Sequence, residues 1–245
     1  MKKTLLAVLL GSFAFASFAQ PITIEKQGAF SAGGTVIEAK KTFDPYHPEP
    51  DAMTLHGDHA NVIYQIPVHA KNISLMFLHG AGQSMRTWQT TPDGREGFQS
   101  VFLRKGYPVY LIDQPRRGDA GRATVDGTIK ASPDEQFWFG QFRMGLWPKF
   151  YDNSAFASQK DLNSFWRQMT PNTAPYNDKV IADAVTDALQ KTEGTVLVTH
   201  SQGCGPGWLI GTEAGKNLKG IIAFEPGSGF IFPEGKVPAA IPNNS

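Results

Sequence analysis

The residues best suited to chemistry are Thr199-His200-Ser201-Gln202-Gly203. Before them runs Thr195-Val196-Leu197-Val198, uncharged and β-branched, which reads as a strand buried on both faces. After them, Trp208-Leu209-Ile210-Gly211-Thr212-Glu213-Ala214 reads as a helix. A Ser on an abrupt turn between strand and helix is a nucleophile elbow. The turn lifts the hydroxyl over the carboxyl end of the strand, and the helix N-terminus brings amide hydrogens and a positive partial charge beside it. Gly203 lets helix and strand backbones pass closely. Thr199 stands where such turns usually carry Gly, which crowds the bend. Cys204 reads as a small buried helix residue rather than a second nucleophile.

Two further strand ends are predicted beside this one. Residues 73–78 form an apolar strand running into His79-Gly80-Ala81-Gly82-Gln83-Ser84. Residues 220–224 form another, followed by Glu225-Pro226-Gly227. Ligands of open α/β sheets bind at such carboxyl ends.

The remaining elements position these three. Residues 28–39 suggest a hairpin and residues 61–68 a second, alternating strand, with a Pro-rich loop between them. Phe98, Val101 and Phe102 have helical spacing up to Gly106, and residues 109–112 make a buried strand ending in Asp113-Gln114-Pro115-Arg116-Arg117-Gly118. Strand, helix, strand with continuous apolar runs is βαβ grammar. Val180, Ile181, Ala184, Val185, Ala188 and Leu189 form one helical stripe after Asn177, closed by Gly194. Residues 131–172 interrupt the pattern: they hold ten of the 28 aromatics, too many for a linker. They read as an insertion with its own apolar face, serving as extra core or as a cap roofing an apolar substrate pocket.

Met1-Lys2-Lys3, the apolar run from Thr4 to Leu10 and the small residues Ala16-Ser17-Phe18-Ala19 form a secretory signal peptide cut after Ala19. Residues 20–245 are then one domain, periplasmic or secreted. No Cys follows the cut, so no lipid anchor is expected there. Removing residues 1–19 takes away two lysines and no acids, and the net charge goes from +1 to −1. That balance gives no reason to expect nucleic acid or an anionic membrane as partner. Cys204 has no partner for an internal disulfide. His56 and His59, in and beside the Pro-rich loop with His47, lack a third ligand at metal-binding spacing, and neither metal nor cofactor is expected.

Together, the elbow, the His-Gly loop, the Asp113 turn, the inserted cap and the acid-bearing strand end resemble the α/β-hydrolase superfamily, in its serine esterase and lipase branch. The resemblance implies a mostly parallel wound sheet with a cap insertion. It makes Ser201 the nucleophile and Glu225 the acid. The N–H groups of Gln202 and Ala81, helped by Gly82, form the oxyanion hole. Asp113 and His79 brace loops. The implied substrate is a small-molecule ester, and the aromatic insertion favours an apolar acyl group. The superfamily's base is a His following the acid, yet no His follows Ser201 and only twenty residues follow Glu225. The expectation is therefore a chain that stops short of its last strands, with the base His beyond residue 245 and little or no turnover. A non-catalytic binding protein, or a peptidase or acyltransferase on the same scaffold, is the alternative. The oligomeric state is not legible.

Overall fold

The computed structural model describes residues 21–156 and 158–229. The signal-peptide reading of residues 1–19 and the Pro- and Gly-rich end of the chain lie outside the described residues.

A six-stranded sheet of order β1-β2-β4-β3-β7-β8 organises the chain. The strands are β1 (Ile24–Ile37), β2 (Leu55–Pro67), β3 (Ser74–Leu78), β4 (Val109–Asp113), β7 (Thr195–His200) and β8 (Leu218–Phe224). β1 pairs antiparallel with β2, and β2 antiparallel with β4. From β4 through β3 and β7 to β8 every pairing is parallel.

Both faces of the central strands are covered, which is why they contain no charged residue before their carboxyl ends. Side chains alternate between faces along a strand. Met76, Leu78, Ile112 and Leu197 pack on one side against α4 (Asp178–Gln190) and α5 (Cys204–Glu213). Leu75, Phe77, Leu111 and Val198 pack on the other with Trp88 and Leu103, the latter on α1 (Phe98–Arg104). The expected stripe of α4 faces inward: Ile181, Ala184, Val185, Ala188 and Leu189 are buried. Asn177 caps that helix by accepting the Val180 N–H at 3.0 Å.

The hairpin expected over residues 28–39 is not formed. β1 runs unbroken through Gly33-Gly34 and pairs along its length with β2, so the turn is the 38–54 connection. Both glycines have positive φ, and a Cβ on Gly33 would stand 2.6 Å from the Ala184 Cα. They mark a bend where α4 crosses the strand, not a reversal. His56 and His59 accordingly lie on β2, not in a loop. The helix after the elbow also begins earlier than the sequence suggests, at Cys204. Pro206 falls in its first turn, where an N–H has no intrahelical acceptor.

Between β4 and α4 the chain forms α2 (Glu135–Gln141), a two-residue hairpin of β5 (Gly145–Leu146) and β6 (Lys149–Phe150), and α3 (Gln159–Trp166). Phe139, Met144 and Leu162 make a separate small core there. Phe137, Phe142, Leu146 and Trp147 remain exposed on its outside.

Candidate active site

Ser201 has φ of +51°, in the left-handed region, which costs a non-glycine residue about 1–2 kcal/mol. Close approaches on every side hold it there. A Cβ on Gly203 would lie 2.5 Å from the His79 carbonyl oxygen. A Cβ on Gly80 would lie 2.9 Å from the Ser201 Cβ. The Gly227 N–H donates to the Ser201 carbonyl at 2.9 Å. Thr199 is accommodated because Gly207 leaves it room: a Cβ on Gly207 would stand 2.9 Å from the Thr199 Cγ2. The Thr199 hydroxyl also lies 3.1 Å from the Cys204 Sγ. Cys204 is fully buried, and burial pushes its thiol up, away from the thiolate a nucleophile needs. Ser201 itself is half-buried, and among the described residues its Oγ has no hydrogen-bond partner.

The loop after β3 is fixed against this turn. The Gly80 carbonyl accepts from Arg117 Nη1 at 2.7 Å and from the Gln83 N–H at 3.3 Å, and His79 Nδ1 lies 3.1 Å away. The Gly80 N–H donates to Gln83 Oε1 at 3.0 Å, and the same oxygen takes a bond from His200 Nδ1 at 3.1 Å. Gly82 has φ of +63° and Met169 packs where its Cβ would be, while its carbonyl accepts the Thr170 N–H at 2.8 Å. Among the described residues the Ala81 N–H has no acceptor. Gln202 lies beside Gly227, whose Cβ would come within 3.1 Å of its nitrogen. Its side-chain oxygen is 3.4 Å from Arg117 Nη2, and its carbonyl accepts from the Tyr176 hydroxyl at 3.3 Å.

Glu225 follows β8, in which Phe224 pairs with His200 of β7, so the acid stands one strand over from Ser201. Its φ is +40°. Its carboxylate accepts from Arg143 Nη2 at 3.2 Å, and both side chains are about three-quarters exposed. The structure thus brings Ser201, Ala81, Gly82 and Gln202 to one edge, and leaves the Glu225 carboxylate at the surface on an arginine.

The histidines are engaged elsewhere. His79 is fully buried; the Gln114 N–H donates to its Nε2 at 3.4 Å, so Nδ1 carries the proton. Burial, with the Arg117 charge second, pushes its pKa down to about 3. Burial also lowers His200. His47 pairs with Asp44 in the 38–54 connection, and His69 sits in the turn after β2 with φ of +54°. Among the described residues no imidazole bonds Ser201 Oγ or the Glu225 carboxylate. Among the described residues no group of three or more His, Cys, Asp or Glu is placed to hold a metal either.

Asp113 braces as expected of it, accepting the Met85 N–H at 2.6 Å and the Asp119 N–H at 2.9 Å; burial raises its pKa. Arg117, Gln83, Asn172 and Arg143 received no role from the sequence. Arg117 is 2 % exposed. Besides Gly80 and Gln202 it bonds Asn172 Oδ1, from Nε at 2.7 Å and also from Nη2. Only its place in the turn at the end of β4 marked it, and a paired arginine in a polar turn ordinarily reads as surface. A cavity of about 10 Å³ remains between the loop and the segment after α3, lined by Gln83, Ser84, Thr87, Phe165, Gln168 and Met169. A groove of about 500 Å³ opens beside Asn172 and Tyr176.

A serine on a left-handed turn between parallel strand and helix, facing a fixed glycine loop, places the chain among the α/β-hydrolase scaffolds. The chain belongs to the alpha/beta hydrolase family, whose sequence profile matches residues 75–244. It is 32 % identical over 161 residues to a probable secreted lipase, phiG, of a fungal species (strain ATCC 74256). That match covers 62 % of this chain and 44 % of the relative, so the chain spans less than half the length of this curated relative. It also superposes on a bacterial esterase with a TM-score of 0.72 at 29 % identity, covering 85 % of this chain and 70 % of the esterase.

Proposed function

We propose that this protein is an exported serine hydrolase of carboxylic esters that works through an acyl-enzyme on Ser201. The observation that carries the reading is Ser201 held at φ of +51° on the turn between β7 and α5, packed against Gly80. Similarity to a lipase and to an esterase supports the ester as substrate. The Ser201 oxygen attacks the ester carbon as its proton passes to a base, and the carbonyl electron pair moves onto oxygen. The Ala81, Gly82 and Gln202 amides stabilise that negative oxygen. Its collapse expels the alkoxide, which takes the proton and leaves as alcohol. Water then repeats the sequence on the acyl-serine, releasing the acid and restoring the hydroxyl. Glu225 is the acid that orients the imidazole and stabilises its charged form. The aromatic insertion at about residues 131–172 is a cap that favours an apolar acyl group, and residues 1–19 are removed on export.

Among the described residues no imidazole bonds Ser201, so turnover is expected to be slow and accelerated by free imidazole. The test is hydrolysis of p-nitrophenyl esters by residues 20–245, with and without imidazole, against Ser201→Ala as the blank. Imidazole-dependent hydrolysis above that blank is the expected result. Equal rates for both proteins under all conditions overturn the reading. One observation favours a non-catalytic binding protein on this scaffold: the Glu225 carboxylate is taken by Arg143. That second reading expects saturable ester binding with no Ser201-dependent product.

A further inference from the structure

Arg117 is a buried cation with no carboxylate in contact among the described residues. Asp113, whose charge reaches it, spends its own oxygens on the Met85 and Asp119 amides. Leaving a guanidinium unpaired in the interior is costly, and a neutral side chain would fill the same space without that cost. Two of its bonds go instead to the segments on either side of the elbow, one to backbone and one to a side chain. Nη1 reaches the Gly80 carbonyl, and Nη2 the Gln202 side chain. The Gly80–Ala81 bond is trans, the Trp147–Pro148 bond being the cis peptide among the described residues. In a trans peptide the N–H points opposite to the C=O. Anchoring the Gly80 oxygen on Arg117 therefore turns the Ala81 N–H away from the guanidinium. Gly80 itself abuts the Ser201 Cβ.

We infer that Arg117 is a positioning residue of the oxyanion hole: it fixes the Gly80 carbonyl, aims the Ala81 N–H, and sets a positive charge behind the donor amides. The inference rests on the hydrolase reading. Field from a buried cation acts with little screening, so it favours negative charge on the far side of the peptide it holds. The same guanidinium holds Asn172, in the segment that follows α3, and the neighbouring Thr173 N–H donates to the Arg116 carbonyl at 2.9 Å. The return of the aromatic insertion to the sheet is thus fastened to the oxyanion loop by one side chain.

The experiment is labelling of residues 20–245 by a fluorophosphonate, resolved into a maximal rate and a half-saturation constant. Wild type is compared with Arg117→Met and Arg117→Lys. Loss of one oxyanion donor typically costs about 10²–10³-fold, and Arg117→Met is expected to lower the maximal rate at the small end of that range with half-saturation unchanged. Arg117→Lys keeps the charge and one bond to Gly80, and restores most of the rate. An unchanged maximal rate in Arg117→Met overturns the inference. So does a loss that appears only as a smaller labelled fraction with a lowered melting temperature, since that is a structural role. All labelling is done in the presence of imidazole, and absence of labelling in wild type refutes the hydrolase reading instead. Amide exchange then decides the anchoring: faster exchange confined to residues 80–83 and 202 in Arg117→Met supports it, and unchanged exchange overturns it.

Discussion

On the β3 side of Ser201 the backbone is held by interior bonds: Gly80 to Arg117 and Gln83, His79 to Gln114, and Asp113 to Met85 and Asp119. On the β8 side, a carboxylate three-quarters exposed rests on one arginine equally exposed, beyond a strand whose Ile222 and Phe224 face solvent. The first side is preorganised, because buried polar groups that satisfy one another admit a single arrangement. The second is not, because an exposed ion pair has water as a ready competitor. Under the proposed ester hydrolysis, the contrast separates the two halves of the reaction. Stabilising the oxyanion needs only the rigid side. Moving the serine proton needs an imidazole between Ser201 and Glu225, and the described histidines are committed elsewhere.

The sharpest way to break the comparison is to damage the rigid side and find that nothing happens. Asp58 on β2 is buried against Arg116, with both carboxylate oxygens on the guanidinium at 2.8 and 2.9 Å. Arg116→Met strands that carboxylate and should cost about 3–5 kcal/mol in urea unfolding. Gly203→Ala drives a methyl against the His79 carbonyl and should cost about 1–3 kcal/mol. Phosphonate labelling should vanish with it, since the bend must open to make room.

An effect of similar size is set by pH. The folded chain keeps His79 neutral down to about pH 3, whereas the unfolded chain protonates it near the ordinary 6.5. The stability this gives is complete above 6.5 and falls as pH drops toward 3, by at most about 1.4 kcal/mol per unit. Asp58, held below its ordinary 3.8 by Arg116, adds a loss in the same direction at still lower pH. Urea midpoints measured from pH 7 to pH 4 should fall in wild type and fall less steeply in His79→Asn. The smallest effect belongs to the exposed side: Arg143→Ala should leave the melting temperature unchanged. A clear drop there would erase the distinction between the two sides.

Much of the fold was legible because its central strands are buried on both faces, and residues 73–78, 109–112 and 195–198 can hardly be read otherwise. The elbow was legible from Ser201 and Gly203 between such a strand and a helix. Gly33-Gly34 misled, because a Gly pair signals reversal by its backbone freedom, while here the missing Cβ admits Ala184 of a helix far away in the chain. The role of Arg117 was not legible either. Nothing local distinguishes it from Arg116, and only the tertiary fold puts Gly80, Asn172 and Gln202 around one guanidinium and Asp58 around the other. Gly207 shows the same limit, since its service to Thr199 depends on how the helix docks.

The central claim is that Ser201 is a nucleophile presented to fixed amides. Its most direct test is intact-mass analysis of residues 20–245 after exposure to a fluorophosphonate in the presence of imidazole. The account predicts one adduct per chain, mapped to Ser201, absent in Ser201→Ala and retained in Glu225→Gln. An unmodified wild-type chain, or an adduct that persists in Ser201→Ala, would contradict it.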